Sequence, residues 1–155
     1  MREADNPGAA VRPPLLHLAA LIAGLVLDRV VALPLPATGP VTLVAGGLAA
    51  VAGIGLMAWA ITCFRRAGTN VPTVLPATAL VTAGPYRFSR NPIYVGMIVT
   101  YLGLALAFAS PWALLLSAPV LLVMHVGVVR REERYLEAKF GEAYRTYRRR
   151  VRRWL

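Results

Sequence analysis

The chain has 155 residues, of which 57% are hydrophobic and 15% charged, and its mean hydropathy is +0.59. Soluble domains are about 45–50% apolar and about 25% charged, so this composition excludes an ordinary soluble globule and a disordered chain. The net charge of +10 lies in two segments. Residues 64–91 hold four arginines and no acidic residue, and residues 130–155 hold ten basic and four acidic side chains. This distribution predicts an integral membrane protein with one domain, residues 1–155.

Four apolar runs are long enough to cross a bilayer, for which about 17–25 helical residues are needed. They cover residues 15–33, 41–64, 92–109 and 112–129. Proline-rich breaks separate the first run from the second and the third from the fourth, which predicts two tight helical hairpins. We therefore expect an all-α membrane protein with four transmembrane helices in two hairpins, followed by an amphipathic C-terminal helix over residues 130–153.

Basic residues in the short loops predict the orientation of these helices. The connections at residues 34–40 and 110–111 contain no basic residue, whereas the loop at 65–91 and the segment after residue 129 are rich in arginine. We therefore expect both basic segments and both termini on the cytoplasmic side of a cell inner membrane. Residues 15–27 also imitate the apolar part of a signal peptide, but no small-residue cleavage site follows, so we expect this helix to be retained.

The second apolar run contains a glycine pattern, Gly53-Ile-Gly55-Leu-Met-Ala58, that imitates a dinucleotide fingerprint. A true fingerprint follows a strand and precedes an acidic ribose ligand, and neither condition holds inside an apolar run. The four-residue spacing of Ala45, Ala49 and Gly53 favours a small-residue face for helix packing.

Three isolated side chains could carry chemistry: Cys63, His17 and His125. The single cysteine, Cys63, excludes an internal disulfide and a cysteine-based metal cluster, and we expect no metal. His17 is expected at the cytoplasmic boundary of the first helix. His125 lies inside the fourth run, where a hydrogen bond to a neighbouring helix is favoured over a functional role.

The loop before the third run combines helix-start signals with a polar-aromatic cluster. Asn91-Pro92 is a good helix start, because Asn caps and Pro suits the first helical position, and Gly84-Pro85 predicts a turn. Tyr86, Arg90 and Tyr94 are not required by that interpretation. They would surround an open helix N-terminus, whose unpaired N–H groups and partial positive charge suit a carboxylate.

An apolar stripe organises the segment after the fourth run. It consists of Leu136, Phe140, Tyr144, Tyr147 and Val151, at three- and four-residue spacing. One turn further back, the stripe reaches Glu132, a carboxylate that needs a partner at the membrane boundary. Glu133 and Glu137 lie off the stripe and are expected to be solvated, pairing with Arg130, Arg134 or Lys139 on the same helix.

The basic run at residues 148–154 could bind nucleic acid or lipid. Basic clusters with interleaved aromatic residues occur in nucleic-acid-binding proteins. Beside a membrane helix, the same composition favours anionic lipid headgroups, to which each basic residue contributes about 1 kcal/mol. We therefore expect anionic lipid headgroups as partners and no nucleic acid.

The loop and the C-terminal stripe together resemble the isoprenylcysteine carboxyl methyltransferase family and the wider group that includes phospholipid methyltransferases. The family pattern is Leu-Val-x-x-Gly-x-Tyr, then Arg-His-Pro-x-Tyr-x-Gly, then a helix that opens with Glu-Glu and continues Phe-Gly-x-x-Tyr-x-x-Tyr. In this chain the matching residues are Leu80, Val81, Gly84, Tyr86, Arg90 through Gly96, Glu132, Glu133, Phe140, Gly141, Tyr144 and Tyr147. Their order and spacing agree over residues 78–151.

The resemblance implies a site for S-adenosyl-L-methionine at the cytoplasmic end of the last two membrane helices. The cofactor residues it implies are Thr78, Ala79, Leu80, Val81, Tyr86, Asn91, Pro92, Ile93, Tyr94 and Glu132. Arg90 and Glu132 are the implied catalytic residues. Glu132 would face the positive charges of the cofactor, Arg90 or the helix N-terminus would face its carboxylate, and Tyr86 and Tyr94 could face the adenine or the sulfonium.

The implied reaction is methyl transfer to a lipophilic acceptor that reaches the site from the bilayer, first of all the carboxylate of an isoprenylcysteine. N-methylation of a phospholipid amine is the alternative. Two positions depart from the family pattern, because Asn91 replaces a histidine and Val128 replaces an arginine attributed to the acceptor carboxylate. An NADPH-dependent sterol-reductase-like enzyme and a lipid-binding scaffold are the remaining alternatives.

Overall fold

The computed structural model describes residues 7–34, 39–71 and 75–155, and this part of the chain is helical. Its α-helices are α1 (Pro13–Val30), α2 (Pro40–Arg66), α3 (Pro92–Ala107), α4 (Pro111–Met124), α5 (Arg130–Phe140) and α6 (Glu142–Arg150). A 3-10 turn, Gly84–Arg87, lies between α2 and α3, and a π-helical turn, His125–Val129, joins α4 to α5. Helices α1 to α4 each begin at a proline, because the first helical position needs no N–H donor.

The all-helical membrane architecture agrees with the prediction. Among the described residues, three helices are long and apolar enough to cross a membrane: α1, α2 and the continuous helix Pro111–Phe140. Helix α3 is apolar but has only 16 residues. It therefore rises about 24 Å, less than the roughly 30 Å of a bilayer's hydrocarbon core. The predicted fourth crossing depends on α3.

The helices do not pair as two sequential hairpins. Helix α2 packs along α3, α1 packs against α4, and α3 also contacts α4 and α1. Among the described residues α1 and α2 do not form a packed pair, so the first predicted hairpin is wrong, whereas the second, α3 with α4, is formed. Surface shape decides this arrangement: Gly24 of α1 lies directly against the backbone of Ala113 of α4.

Small residues let α2 and α3 approach closely. The small residues in contact are Gly46, Ala50 and Gly53 on α2 and Gly96 and Gly103 on α3. A Cβ atom at Gly103 would lie 2.5 Å from the backbone nitrogen of Ala50, so a larger residue must separate the two helices. The predicted small-residue face exists and contains Gly53, but Ala45 is exposed and Ala49 is only partly buried. The face is therefore one position further along the helix than the predicted one.

The predicted helix over residues 130–153 is divided. Gly141, with φ of +53°, separates α5 from α6, and α6 ends at Arg150. The predicted stripe is nevertheless formed, because Tyr144 and Tyr147 are buried in a cluster with Val81 and Tyr86. Leu136, Phe140 and Val151 pack against the same cluster. Both helices therefore use the stripe to attach to the loop between α2 and α3.

The two histidines have packing partners. His17 is buried, its Nδ1 lies 2.8 Å from the carbonyl oxygen of Pro13, and its ring edge faces Tyr101. The ring of His125 lies beside that of Trp154, with 6.2 Å between the centroids. The His17 ring therefore packs α1 against α3, and the His125 ring packs against the C-terminal segment.

Candidate active site

The loop between α2 and α3 places Tyr86 in the interior. Gly84 has φ of +62°, and a Cβ atom there would lie 2.6 Å from the Sγ of Cys63, so glycine lets the turn close onto the end of α2. The ring of Tyr86 packs 5.2 Å from that of Phe64, and its carbonyl accepts a 2.8 Å hydrogen bond from the Tyr147 hydroxyl. The predicted turn is thus a rigid support for the tyrosine.

A carboxylate and two tyrosines meet where α3 begins and α5 begins. The Tyr94 hydroxyl donates a hydrogen bond to the carboxylate of Glu132. Burial, and secondarily the nearby negative charge of Glu132, raise the pKa of the Tyr86 phenol well above its usual value. The phenol therefore stays protonated at neutral pH. The structure therefore brings together Tyr86, Tyr94 and Glu132, three of the residues that the resemblance implies for the cofactor site.

Arg90 lies in a second, buried cluster beside the first. Its Nη2 atom is 3.0 Å from Oε1 of Glu133, and both side chains are only 8% exposed. Arg153 binds the same carboxylate through Nε at 3.0 and 3.1 Å and through Nη2 at 2.8 Å. Two arginines therefore share one buried carboxylate, which leaves the cluster with a net positive charge.

Residues 151–154, named the strap here, run back across the start of α3. The backbone N–H of Arg90 donates to the carbonyl of Arg152 at 2.9 Å, and Ser89 and Arg152 form a parallel bridge. The Asn91 side chain donates through Nδ2 to the carbonyl of Arg153 at 2.9 Å. Asn91 occupies the N-cap position of α3, but its side chain makes no capping hydrogen bond. The predicted cap instead binds the strap.

Three buried polar atoms of the second cluster have no hydrogen-bond partner among the described residues. They are Nε and Nη1 of Arg90 and the hydroxyl of Tyr144. The Tyr144 side chain is close enough to Arg90 and Glu133 for their charges to act on it, and burial raises its pKa to about 12. Buried donors without partners cost free energy, and such groups call for an explanation such as a ligand or ion. Their chemistry suits an anionic group such as a carboxylate.

The first four predicted cofactor residues, at 78–81, are held by neighbours in the loop and on α2. The Thr78 hydroxyl donates to the carbonyl of Gly68, and the backbone N–H groups of Thr78 and Ala79 donate to the hydroxyl of Thr69. Leu80 and Val81 pack in the cluster of Tyr144 and Tyr147. The structure does not place these four side chains against Glu132.

A hydrogen bond from the preceding residue also connects this part of the loop to α5. The backbone N–H of Ala77 donates to the Tyr135 hydroxyl at 3.0 Å, less than one helical turn from Glu132. At the start of α3, Pro92 is fully buried. Ile93 packs between two apolar groups of side chains, one around Tyr147 and the other around Val128. These residues fix the position of Arg90 and Tyr94.

The expectation that Glu133 on α5 is solvated is wrong. Glu133 is 6% exposed and binds Arg90 and Arg153, because the strap covers the helix face that an isolated helix would leave in water. Glu137 pairs with Arg148 of α6 at 2.8 Å, a partner outside its own helix that the sequence did not indicate. The turn at Gly141 brings α6 back alongside α5 and supplies that partner.

The geometry above coincides with a family match. Residues 41–143, from α2 to the start of α6, match the family model described as phospholipid methyltransferase. The chain belongs to this family. The matched range contains both clusters except for Tyr144 and Arg153, and it makes the protein a member of a membrane methyltransferase family. No solved structure matches the chain.

Three curated relatives resemble shorter parts of this phospholipid methyltransferase family member. An uncharacterized protein of Haemophilus influenzae is 38% identical over 63 residues, 41% of this chain and 100% of its own length. The protein-S-isoprenylcysteine O-methyltransferase of Schizosaccharomyces pombe is 36% identical over 72 residues, 46% of this chain and 30% of the relative. The cobalt-zinc-cadmium resistance protein CzcN of Cupriavidus metallidurans is 37% identical over 63 residues, 41% and 29% of the two chains.

The sequence did not indicate several residues that the structure places in or beside these two clusters: Glu133, Tyr144 as a polar group, Tyr135, Arg153 and Trp154. Arg153 and Trp154 belong to a basic run that was assigned to lipid binding. The sequence does show two adjacent glutamates and an arginine-rich run that could pair. It does not show which arginine binds which glutamate. Val128, at the position of a family arginine, is fully buried among apolar residues with Tyr94 and Met124.

Proposed function

We propose that this protein transfers a methyl group from S-adenosylmethionine to a lipophilic acceptor at the cytoplasmic boundary of the membrane. The observation that carries the proposal is the adjacency of two oppositely charged clusters. Glu132 with Tyr94 and Tyr86 offers an anion and aromatic rings. Arg90 with Tyr144 offers buried donors that lack partners. The amino-acid part of S-adenosylmethionine carries one ammonium and one carboxylate, which these clusters complement.

The residues of the first cluster are proposed to hold the positive end of the cofactor. Glu132 pairs with the ammonium, and its hydrogen bond from Tyr94 fixes the carboxylate before the cofactor arrives. The rings of Tyr86 and Tyr94 attract a sulfonium through their negative faces. Because the Tyr86 phenol stays protonated, the ring presents no second negative charge.

Arg90 is proposed to bind the cofactor carboxylate. Its Nη2 is held by Glu133, so the guanidinium plane has one fixed edge, while Nε and Nη1 remain available. The N–H groups of Nε and Nη1 point to different sides of the guanidinium, so either one can donate a single charge-assisted hydrogen bond to a carboxylate oxygen. Asn91 and Pro92, which follow Arg90 at the start of α3, are held in place and help to fix the orientation of the Arg90 side chain.

The bound cofactor supplies an already activated methyl group on a sulfonium. Transfer of that methyl group to a lone pair of the acceptor would break the carbon–sulfur bond and leave S-adenosylhomocysteine. A carboxylate acceptor needs no general base, so the protein contributes alignment and exclusion of water. The described clusters offer both, since their side chains are largely buried and mutually bonded.

For the acceptor we propose the carboxylate of an isoprenylcysteine-type lipid, supported by the similarity to the Schizosaccharomyces pombe enzyme. A second candidate, a phospholipid amine, is supported by the family description and by Val128, which is buried and apolar where an acceptor-binding arginine is expected. An amine must lose its proton before it attacks. Its methylation should therefore rise with pH more steeply than that of a carboxylate.

The proposal is tested with detergent-purified protein, radiolabelled S-adenosylmethionine and a panel of prenylcysteines and aminophospholipids. Label in a prenylcysteine ester supports the first acceptor, and label in a methylated amine supports the second. Label in neither, together with calorimetry that detects no binding of S-adenosylmethionine, refutes the proposed function. NADPH in the same calorimeter tests the reductase alternative.

We further propose that exposed arginines of the loop and of α6 bind anionic lipid headgroups. Arg87 and Arg150 line a surface groove of about 420 Å³ together with Thr82 and Thr146. Phosphate groups accept hydrogen bonds from arginine and threonine side chains. Such contacts would fix the orientation of the cytoplasmic segments on the membrane surface.

A further inference from the structure

The carboxylate of Glu133 is divided unequally between its two arginines. Arg153 approaches it through two nitrogens and contacts both oxygens, at 2.8 to 3.1 Å. Arg90 approaches it through Nη2 alone, at 3.0 Å from Oε1. Both Arg90 and Glu133 are nearly buried, so water does not compete strongly for these bonds. The geometry decides which donors of Arg90 remain available.

An arginine next to a carboxylate prefers to bind it with two parallel hydrogen bonds. With Arg153 holding both oxygens, Arg90 is restricted to one edge contact, and its Nε and Nη1 have no partner among the described residues. Without Arg153, the free oxygen of Glu133 would attract a second donor of Arg90. The guanidinium would then turn toward Glu133, and the local charge would fall from +1 to zero.

We propose that Arg153 is a positioning residue for ligand binding: by occupying Glu133 it keeps an unpartnered donor of Arg90, Nε or Nη1, available for the carboxylate of the methyl donor. The inference rests on the proposed use of S-adenosylmethionine. It assigns to the strap a part in the cofactor site, where composition alone suggested only contact with lipid.

The strap is held in place independently of the Arg153 side chain. The carbonyl groups of Arg152 and Arg153 accept hydrogen bonds from Arg90 and Asn91, and Trp154 packs against the core beside His125. Removing the guanidinium therefore leaves these backbone contacts intact. A change in ligand binding can then be attributed to the charge and to its donors.

The test compares two ligands that differ by one carboxylate, S-adenosylmethionine and its decarboxylated form, by calorimetry on the full chain in detergent. Arg153→Ala is expected to weaken S-adenosylmethionine about ten- to a hundred-fold, the range of one lost charge-assisted contact. The decarboxylated ligand is expected to bind Arg153→Ala and the wild type alike. Arg152→Ala is the matched control, because its side chain is exposed and only its carbonyl is used.

A double variant separates positioning from simple structural support. In Glu133→Gln/Arg153→Ala the charge that would capture Arg90 is absent, so affinity for S-adenosylmethionine should recover partly relative to Arg153→Ala. A merely structural ion pair predicts no recovery. Arg153→Lys, which keeps the charge but not the two-nitrogen geometry, should lie between the wild type and Arg153→Ala.

Three outcomes overturn the inference. If Arg153→Ala binds S-adenosylmethionine as the wild type does, Arg90 does not depend on Arg153. If Arg153→Ala weakens both ligands equally, the effect is structural and not directed at the carboxylate. If the wild type binds neither ligand, the proposed function fails and this inference fails with it, whereas the first two outcomes leave the proposed function intact.

Discussion

The substitution Glu132→Gln isolates one negative charge at the proposed cofactor site. Glutamine has nearly the shape of glutamate, and its side-chain oxygen can still accept the hydrogen bond from Tyr94. The neighbouring pair of Glu133 with Arg90 is not touched. The substitution therefore removes the charge that would face the cofactor ammonium while keeping the local packing.

The size of the effect follows from the surroundings of Glu132. Its side chain is half-buried, and burial raises the pKa of its carboxyl to about 7, so its charge is less well solvated than that of a surface carboxylate. A hydrogen bond to a charged group contributes about 1.5–3 kcal/mol. We therefore expect Glu132→Gln to weaken binding of S-adenosylmethionine about tenfold to 150-fold at 25 °C.

Calorimetry of S-adenosylmethionine binding, together with thermal unfolding, measures this change. Glu137→Gln is the control on the same helix, because Glu137 pairs with Arg148 away from the site. The control should bind like the wild type, and both variants should unfold near the wild-type temperature. Equal affinity of Glu132→Gln and the wild type would refute the assignment of Glu132 to the ammonium.

Two further predictions concern stability. Gly103→Leu should lower the free energy of unfolding by about 1–3 kcal/mol or more, because a Cβ atom there would lie 2.5 Å from the backbone of α2. Gly47→Ala is the control, since a Cβ atom at Gly47 has nothing within 4 Å, and it should leave thermal unfolding unchanged. Burial raises the pKa of Tyr144 to about 12 in the folded protein, above its value of about 10 in the unfolded chain. The protonated phenol therefore contributes its full stabilisation of the fold below pH 10, and this stabilisation is lost as the pH rises towards 12. In Tyr144→Phe the melting temperature should fall less steeply between pH 10 and pH 12 than in the wild type. Equal steepness in the two proteins contradicts this prediction.

The helices could be predicted from the sequence because each depends on local signals. Apolar runs bounded by prolines predicted α1 to α4 within a few residues of Pro13–Val30, Pro40–Arg66, Pro92–Ala107 and Pro111–Met124. The stripe through Tyr144 and Tyr147 predicted which faces of α5 and α6 are buried. Pairing between helices could not be predicted in the same way. It depends on the match of Gly46 and Gly53 with Gly103 and Gly96, which a single chain does not reveal.

The residues of the candidate site also differ in whether local sequence signals could predict them. Tyr94 and Glu132 were found because each is marked by its own helix, one at the start of α3 and the other on the stripe. Glu133 was misassigned because its burial comes from the strap, a segment 20 residues away along the chain. Helical geometry places Glu133 about 100° from Glu132 around α5, a direction that an isolated helix would leave in water. Only the return of the chain across α3 turns that face into an interior.

Four arginines of the two basic segments fall into two groups, which we expect to differ in their effect on lipid binding. Arg90 and Arg153 are bound to Glu133, whereas Arg87 and Arg150 are exposed and line the groove that we propose for lipid headgroups. Each exposed arginine near a membrane surface contributes about 1 kcal/mol of attraction to anionic lipid, so Arg87→Ala/Arg150→Ala should reduce retained anionic lipid roughly thirty-fold in affinity. Native mass spectrometry of protein from mixed anionic and zwitterionic nanodiscs measures this retention.

Arg153→Ala is the opposite control, since it should lower S-adenosylmethionine affinity and leave lipid retention unchanged. If Arg153→Ala and the Arg87→Ala/Arg150→Ala variant lose lipid equally, the division is wrong and the whole basic surface acts as one patch. If only the exposed pair affects lipid, neighbouring basic residues have separate tasks, because the carboxylate of Glu133 engages Arg90 and Arg153 in ion pairs.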